Sequence, residues 1–222
     1  WKPFVYLAAL QAGFTPDSIV YDQPVSIGNW TPKNYNRKYV GRTTLAYALR
    51  HSLNTIPVQL AMKIGRKPIV DVATAAGIKT PILAVASMPL GTNEVTVLDM
   101  TTAYATFANG GKQVTPYTVL EIRRPNGDVL YSRAKDAPQP KQIFDEIHIA
   151  DLNYMMNQVV TQGTGRNALL GFTPQAGKTG TTQDYRDAWF VGYTAQYVTA
   201  VWFGNDDYTP TKKITGGNLP AI

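Results

Sequence analysis

The chain has 222 residues, 44% hydrophobic and 16% charged, enough for one large domain or two small lobes around a real core. It has no cysteine, which excludes disulfides, thiol nucleophiles and cysteine-held metals, and its two histidines make a histidine-rich metal site an unpromising reading. The net charge of +6 suits anionic partners, but the bases are scattered and the densest groups, Arg123-Arg124 and Lys212-Lys213, are pairs, so no nucleic-acid partner is expected.

No apolar run approaches the length of a membrane span, and no signal peptide opens the chain. The first residues, WKPFVYLAAL, start in an apolar pattern without a lead-in, and the last, ITGGNLPAI, stop without a terminating element. The expectation is an excised piece of a longer protein. Thr43–Ser52 places Leu45, Ala48, Leu49 and Ser52 at helical spacing, with Thr43 or Thr44 as the cap. Asn54-Thr55 interrupts the pattern, Pro57 restarts it, and Gly65 ends the second helix. Ser52-Leu53-Asn54 therefore sits at a helix junction, where side chains can point into a cleft.

Further helices are predicted over Pro68–Ala76, Val97–Ala108 and Asp145–Thr161. Between the last two, Thr118–Arg123 and Asp128–Tyr131 flank Pro125-Asn126-Gly127 as a hairpin, followed by the Pro-rich connector DAPQPK. Gly163-Thr164-Gly165 closes the long helix. The tail changes character: Asp187–Tyr193 and Tyr197–Phe203 are aromatic and β-branched runs joined by a short connection, apolar almost throughout and hence covered on both faces. The fold class is α/β, an antiparallel sheet with helices on both sides, plus a mainly helical lobe from the earlier half. Residues 1–165 form mostly that lobe, and 170–222 the late strand and C-terminal sheet, within one domain.

The stretch GFTPQAGKTGTT, residues 171–182, belongs to one of two chemistries. A phosphate loop needs four residues between its glycines and a helix after its lysine, whereas Gly171 and Gly177 enclose five and the following sequence is strand-like. The alternative is a strand carrying Lys178 and Thr179, with Gly180 allowing a ligand close to the backbone. Alternation sends Lys178 and Gly180 to one face and Thr179 and Thr181 to the other.

Partners for that strand exist. S-x-x-K, S-x-N and K-T-G form the set shared by class A β-lactamases and penicillin-binding proteins, and Ser52-Leu53-Asn54 and Lys178-Thr179-Gly180 occur here in that order. Trp1-Lys2-Pro3-Phe4 resembles the second half of an S-x-x-K-P-F segment. PLGTNEVTVLDMTTAYATFANGG (89–111), QGTGRNAL (162–169), AGKTGTT (176–182) and WFGNDD (202–207) resemble the same family. Over nearly its whole length the chain resembles the transpeptidase domain of class A, bifunctional penicillin-binding proteins, cut short at both ends.

That resemblance implies a serine D,D-transpeptidase that cross-links peptidoglycan stem peptides through an acyl-enzyme and is acylated by β-lactams. It implies no cofactor and no metal. It also implies a membrane-anchored parent with an upstream glycosyltransferase domain, working on the periplasmic face of the inner membrane in cell-wall synthesis. Lys2 would take the proton of a serine two residues before Trp1, which lies outside the chain, so the piece alone is expected to be inactive. Ser52 would relay the proton toward the leaving amine, and Asn54 would hold the lysine and the substrate amide. Lys178 would supply positive field, with Thr179, Gly180, Thr181 and Thr182 lining the substrate strand. The Thr179 and Thr181 hydroxyls would bind the terminal carboxylate, and the Thr181 N–H would form half the oxyanion hole. A D-Ala-D-Ala carboxypeptidase, or a sensory or degenerate module of the same fold, are the alternatives.

Blander readings compete at each position. Ser132-Arg133-Ala134-Lys135 matches S-x-x-K but follows S-x-N in order and lacks an apolar helix after it. His51 beside Ser52 suggests a dyad, but adjacent helical residues point about 100° apart.

Overall fold

A computed structural model describes residues 1–222. Its axis is the opening helix α1 (Lys2–Gln11). Pro3 sits in the first turn, where its missing N–H costs no hydrogen bond, and every residue from Phe4 to Leu10 is at most 2% exposed. A helix apolar on all sides belongs in a core. For the same reason it shows no helical stripe in the sequence.

The chain then makes a hairpin of β1 (Ile19–Asp22) and β2 (Gly41–Thr44), pairing Val20 with Thr43 and Asp22 with Gly41. The predicted helix over Thr43–Ser52 accordingly starts later, as α2 (Leu45–Arg50). Its two leading threonines finish the strand, and the Thr44 hydroxyl caps the helix by accepting from the Tyr47 N–H at 3.2 Å. Helices α3 (Thr55–Ile64) and α4 (Lys67–Ala76) follow, ended by Gly65 and Gly77, and both pack on α1. The helix α5 (Val97–Ala108) is capped by Thr96, which accepts from the Asp99 N–H at 3.0 Å.

An exposed hairpin of β3 (Glu121–Arg123) and β4 (Val129–Ser132) leads into one helical turn, α6 (Arg133–Asp136), that buries nothing. The Ser132–Lys135 look-alike therefore lies on a surface turn. The long helix α7 (Glu146–Gln162), capped by Asp145, packs on α1 and α2.

The last part is a three-stranded antiparallel sheet, β5 (Ala176–Thr181), β6 (Asp187–Tyr193) and β7 (Val198–Gly204), in that spatial order. Ala176, Val191 and Tyr193 join the main core, where α7 lies against β5 and α5 against β6 and β7. Phe190, facing the other way, packs with Val160 of α7 and Ala221. Strand β5 stands at the edge, so one side of its backbone has no strand partner.

The end of α7 is locked to the end of α2. The Thr164 N–H donates to the Arg50 carbonyl at 3.3 Å, and a Cβ on Gly163 would stand 2.4 Å from that same oxygen. Backbone meets backbone there, so no side chain can swing aside. Gly163→Ala is expected to destabilise the protein by about 1–3 kcal/mol, read as a fall in melting temperature of several degrees. An unchanged melting temperature would contradict this packing.

Candidate active site

Lys2 lies at the start of α1, and its ammonium faces the α2–α3 junction rather than water. Its Nζ donates to the Ser52 carbonyl at 2.5 Å and to the Asn54 Oδ1 at 2.6 Å, and lies 3.0 Å from the Ser52 Oγ. The junction is built for this contact. Ser52 adopts φ +54°, a left-handed conformation uncommon for a residue with a side chain. The reversal ends α2, and both the carbonyl and the hydroxyl of Ser52 then lie within reach of one amine. The strain costs about 1–2 kcal/mol, and the Lys2 bonds offset part of it. The next helix begins at Thr55, leaving Asn54 at its N-terminus.

Lys2 is half-buried, whereas Lys178, the second cation of the site, is 3% exposed on β5. It sits opposite Val191 in the register, and its Nζ curls round the strand edge to donate to the Thr179 carbonyl at 3.1 Å and hydroxyl at 3.3 Å. The ladder fixes which backbone groups are free. Thr182 N–H donates to the Asp187 carbonyl at 3.0 Å, so even-numbered residues of β5 point toward β6. Thr179 and Thr181 therefore aim their N–H and C=O groups at the open edge, beside the Lys178 ammonium.

Burial lowers the Lys2 pKa well below the ordinary lysine range, and the positive charge of Lys178 lowers it further. Burial alone brings Lys178 to about 7. The site thus holds two amines that shed their protons more readily than an ordinary lysine, Lys178 at about 7. A neutral Lys2 can accept a proton from a hydroxyl, while an ammonium at Lys2 can donate to Ser52 Oγ.

The remaining expected residues fall into two groups. The Thr181 hydroxyl accepts from the Gly216 N–H at 3.0 Å, which leaves its own proton free to donate. Gly180 is covered by Gly216, where a side chain on Gly216 would strike the Gly180 backbone. The Thr182 hydroxyl is instead engaged in the β5–β6 connection, accepting from the Asp187 N–H at 2.7 Å and donating to its carboxylate at 3.1 Å. His51 points away from Ser52 chemistry; its Nε2 accepts from Arg50 at 3.2 Å. Thr164, in a helix stop that the family resemblance sets beside the cleft, joins the site through a 2.7 Å hydroxyl contact with Thr179.

Comparison with known proteins follows the same geometry. Residues 1–215 match the model for the penicillin binding protein transpeptidase domain. The chain belongs to that family. It is 39% identical to penicillin-binding protein 1A of Aquifex aeolicus over the whole chain, and 39% identical to penicillin-binding protein 1A of Neisseria meningitidis serogroup A. It spans 31% and 29% of those two relatives' lengths. Among solved structures, the penicillin-binding protein PonA1 of Mycobacterium tuberculosis superposes with a TM-score of 0.91 at 30% identity, covering 99% of this chain and 64% of PonA1. PonA1 has also been solved with penicillin V at a TM-score of 0.91. Penicillin-binding protein 1A of Haemophilus influenzae gives 0.89 at 26% identity, covering 99% of this chain and 40% of that one. The expected α/β transpeptidase fold is therefore the one observed.

The buried lysines also set how stability of this transpeptidase domain varies with pH. Folding lowers the Lys178 pKa from 10.5 to about 7, so between those values the unfolded chain holds a proton that the folded one releases. Stability then rises with pH across that window, and below it the cost of the buried charge is fully present. Lys2 acts in the same direction. Lys178→Met should raise the melting temperature near pH 7 by about 3 °C or more and flatten its rise toward pH 10. A melting temperature that falls, with the pH dependence unchanged, would contradict the burial of a destabilising charge.

Proposed function

We propose that this chain is the acyl-transfer centre of a serine D,D-transpeptidase, cross-linking peptidoglycan stem peptides and acylated by β-lactams. The observation that carries the reading is the convergence of the S-x-N junction on a desolvated Lys2, beside an edge strand bearing a second buried lysine.

The nucleophile is the serine three positions before Lys2, one helical turn away and so on the same face. Neutral Lys2 removes the serine proton as the oxygen attacks the carbonyl of the penultimate D-Ala. The tetrahedral oxyanion is held by the serine's own N–H and by the open-edge N–H of Thr181. The terminal carboxylate lies against the Thr179 and Thr181 hydroxyls, where Lys178 supplies the compensating charge; the arriving anion favours the ammonium form. Gly180 lets Gly216 pack against the strand, where the Gly216 N–H engages the Thr181 hydroxyl, and Thr182 acts by holding the β5–β6 connection that shapes the strand's end. The proton on Lys2 passes through Ser52 Oγ to the leaving nitrogen, the C–N bond breaks, and D-Ala departs. Asn54 keeps Lys2 in line and holds the substrate amide. An amine of a second stem peptide then attacks the ester carbonyl, its proton passes through Ser52 and Lys2 to the serine oxygen, and the C–O bond breaks to regenerate the serine.

No cofactor or metal is required, since every proton transfer has a side chain within hydrogen-bond reach. The same reading sets the chain within a membrane-anchored parent that carries an upstream glycosyltransferase domain and faces the periplasm.

Acylation by a fluorescent penicillin tests this in the full-length parent. Labelling is expected on the serine before Lys2, with Lys2→Met slowing acylation by about 10²–10⁴-fold and Ser52→Ala slowing it in the same sense. A parent that no penicillin acylates would overturn the reading.

A further inference from the structure

Behind the S-x-N junction lies a buried polar chain that none of the three motifs contains. Asp22, the last residue of β1, is 1% exposed, and Asn34, in the loop after it, is 4% exposed. The Asn34 Nδ2 donates to both carboxylate oxygens of Asp22 at 2.9 Å and to the Lys38 carbonyl at 2.9 Å. The carboxylate also accepts from the Val40 N–H at 2.9 Å and from the Thr55 hydroxyl. The Asn34 Oδ1 accepts from the Asn54 N–H at 2.7 Å. The Asn54 Nδ2 donates to the Lys33 carbonyl at 2.7 Å, and its Oδ1 accepts from Lys2.

The direction of every link is dictated by its ends. A carboxylate only accepts, so it takes the NH₂ side of the Asn34 amide and leaves the carbonyl side for Asn54. Asn54 in turn gives its NH₂ to a backbone carbonyl and can offer Lys2 only an oxygen. A buried amide that could flip would present an NH₂ to an amine, which has no use for a second donor while charged. The carboxylate of Asp22 thus fixes the Asn34 amide, and Asn34 holds the backbone of Asn54 in place, while the Lys33 carbonyl sets the direction of the Asn54 carboxamide.

We propose that Asp22 and Asn34 are positioning residues for the transpeptidase reaction, setting through Asn54 the place and orientation of the Lys2 amine. Resting on the reading of Lys2 as the proton acceptor, this adds residues from the β1–β2 hairpin to the machinery. It assigns them an effect on the chemical step rather than on substrate binding.

The test separates those two in the full-length parent, using stopped-flow acylation by a fluorescent penicillin at a temperature where each variant is folded. Asp22→Asn and Asn34→Asp are each expected to lower the acylation rate constant about tenfold or more, as a misplaced catalytic group does, with the non-covalent dissociation constant within about twofold of the parent's. Parental rates in the folded single variants would overturn the proposal, as would a proportional loss of binding and rate. If the single variants do not fold, Thr55→Val removes one hydrogen bond from Asp22 at nearly constant volume. A lowered acylation rate at unchanged binding supports the proposal, and a parental rate overturns it. Lys2→Met serves as the separate check: parental acylation there would sink the proton-acceptor reading itself, whatever the Asp22 and Asn34 variants do.

Discussion

Everything in the site follows from drawing an amine out of bulk water and against a helix junction. An ammonium in a dry core is costly unless its donors are satisfied, and Lys2 extends from a helix whose next several residues are fully buried. The surrounding chain supplies acceptors at the one place it can, a helix junction with unpaired backbone. The left-handed turn at Ser52 makes that junction sharp enough for carbonyl, hydroxyl and carboxamide to meet the amine together. Reactivity and fold are therefore the same arrangement. On the proposed reading, the desolvation that loosens the Lys2 proton also demands the S-x-N junction.

The second lysine extends this logic to the sheet. Lys178 comes from an edge strand, so its neighbours on β5 present free backbone groups that a central strand would have consumed. Its charge lowers the affinity of Lys2 for a proton, and its own burial leaves it only partly charged until an anion arrives. On the proposed reading, a substrate carboxylate meets a site held below its best electrostatic state, a stability cost kept for the reaction. The lock between Gly163 and Arg50, and the hydroxyl contact from Thr164 to Thr179, tie the two sides of the cleft to one another.

Much of this was legible in the sequence, unevenly and for physical reasons. Helix α5 and strand β6 match their expected bounds because periodicity, caps and aromatic content agree there. The S-x-N and K-T-G segments announce themselves through residue type and order, and the register puts Lys178 and Thr179 on alternate positions as expected. Helix α1 carries no stripe because it is buried all round. The β1–β2 hairpin was hidden for the opposite reason: its strands are four residues each, and Asp22 alone of the eight is buried. Asp22 and Asn34 therefore look like surface polar residues until the fold joins them to Asn54, from 20 and more positions away. Long-range pairing of this sort leaves no local mark.

The central claim is that Lys2 is an amine whose proton is loosened by burial and by its neighbour Lys178. A pH titration of the lysine side-chain NMR signals in the folded protein tests it most directly, with Lys2 assigned by comparison with the Lys2→Met variant. The account predicts that Lys2 titrates well below the ordinary lysine value and that its pKa rises when Lys178 becomes methionine. A Lys2 that titrates in the usual lysine range, indifferent to Lys178, would contradict it.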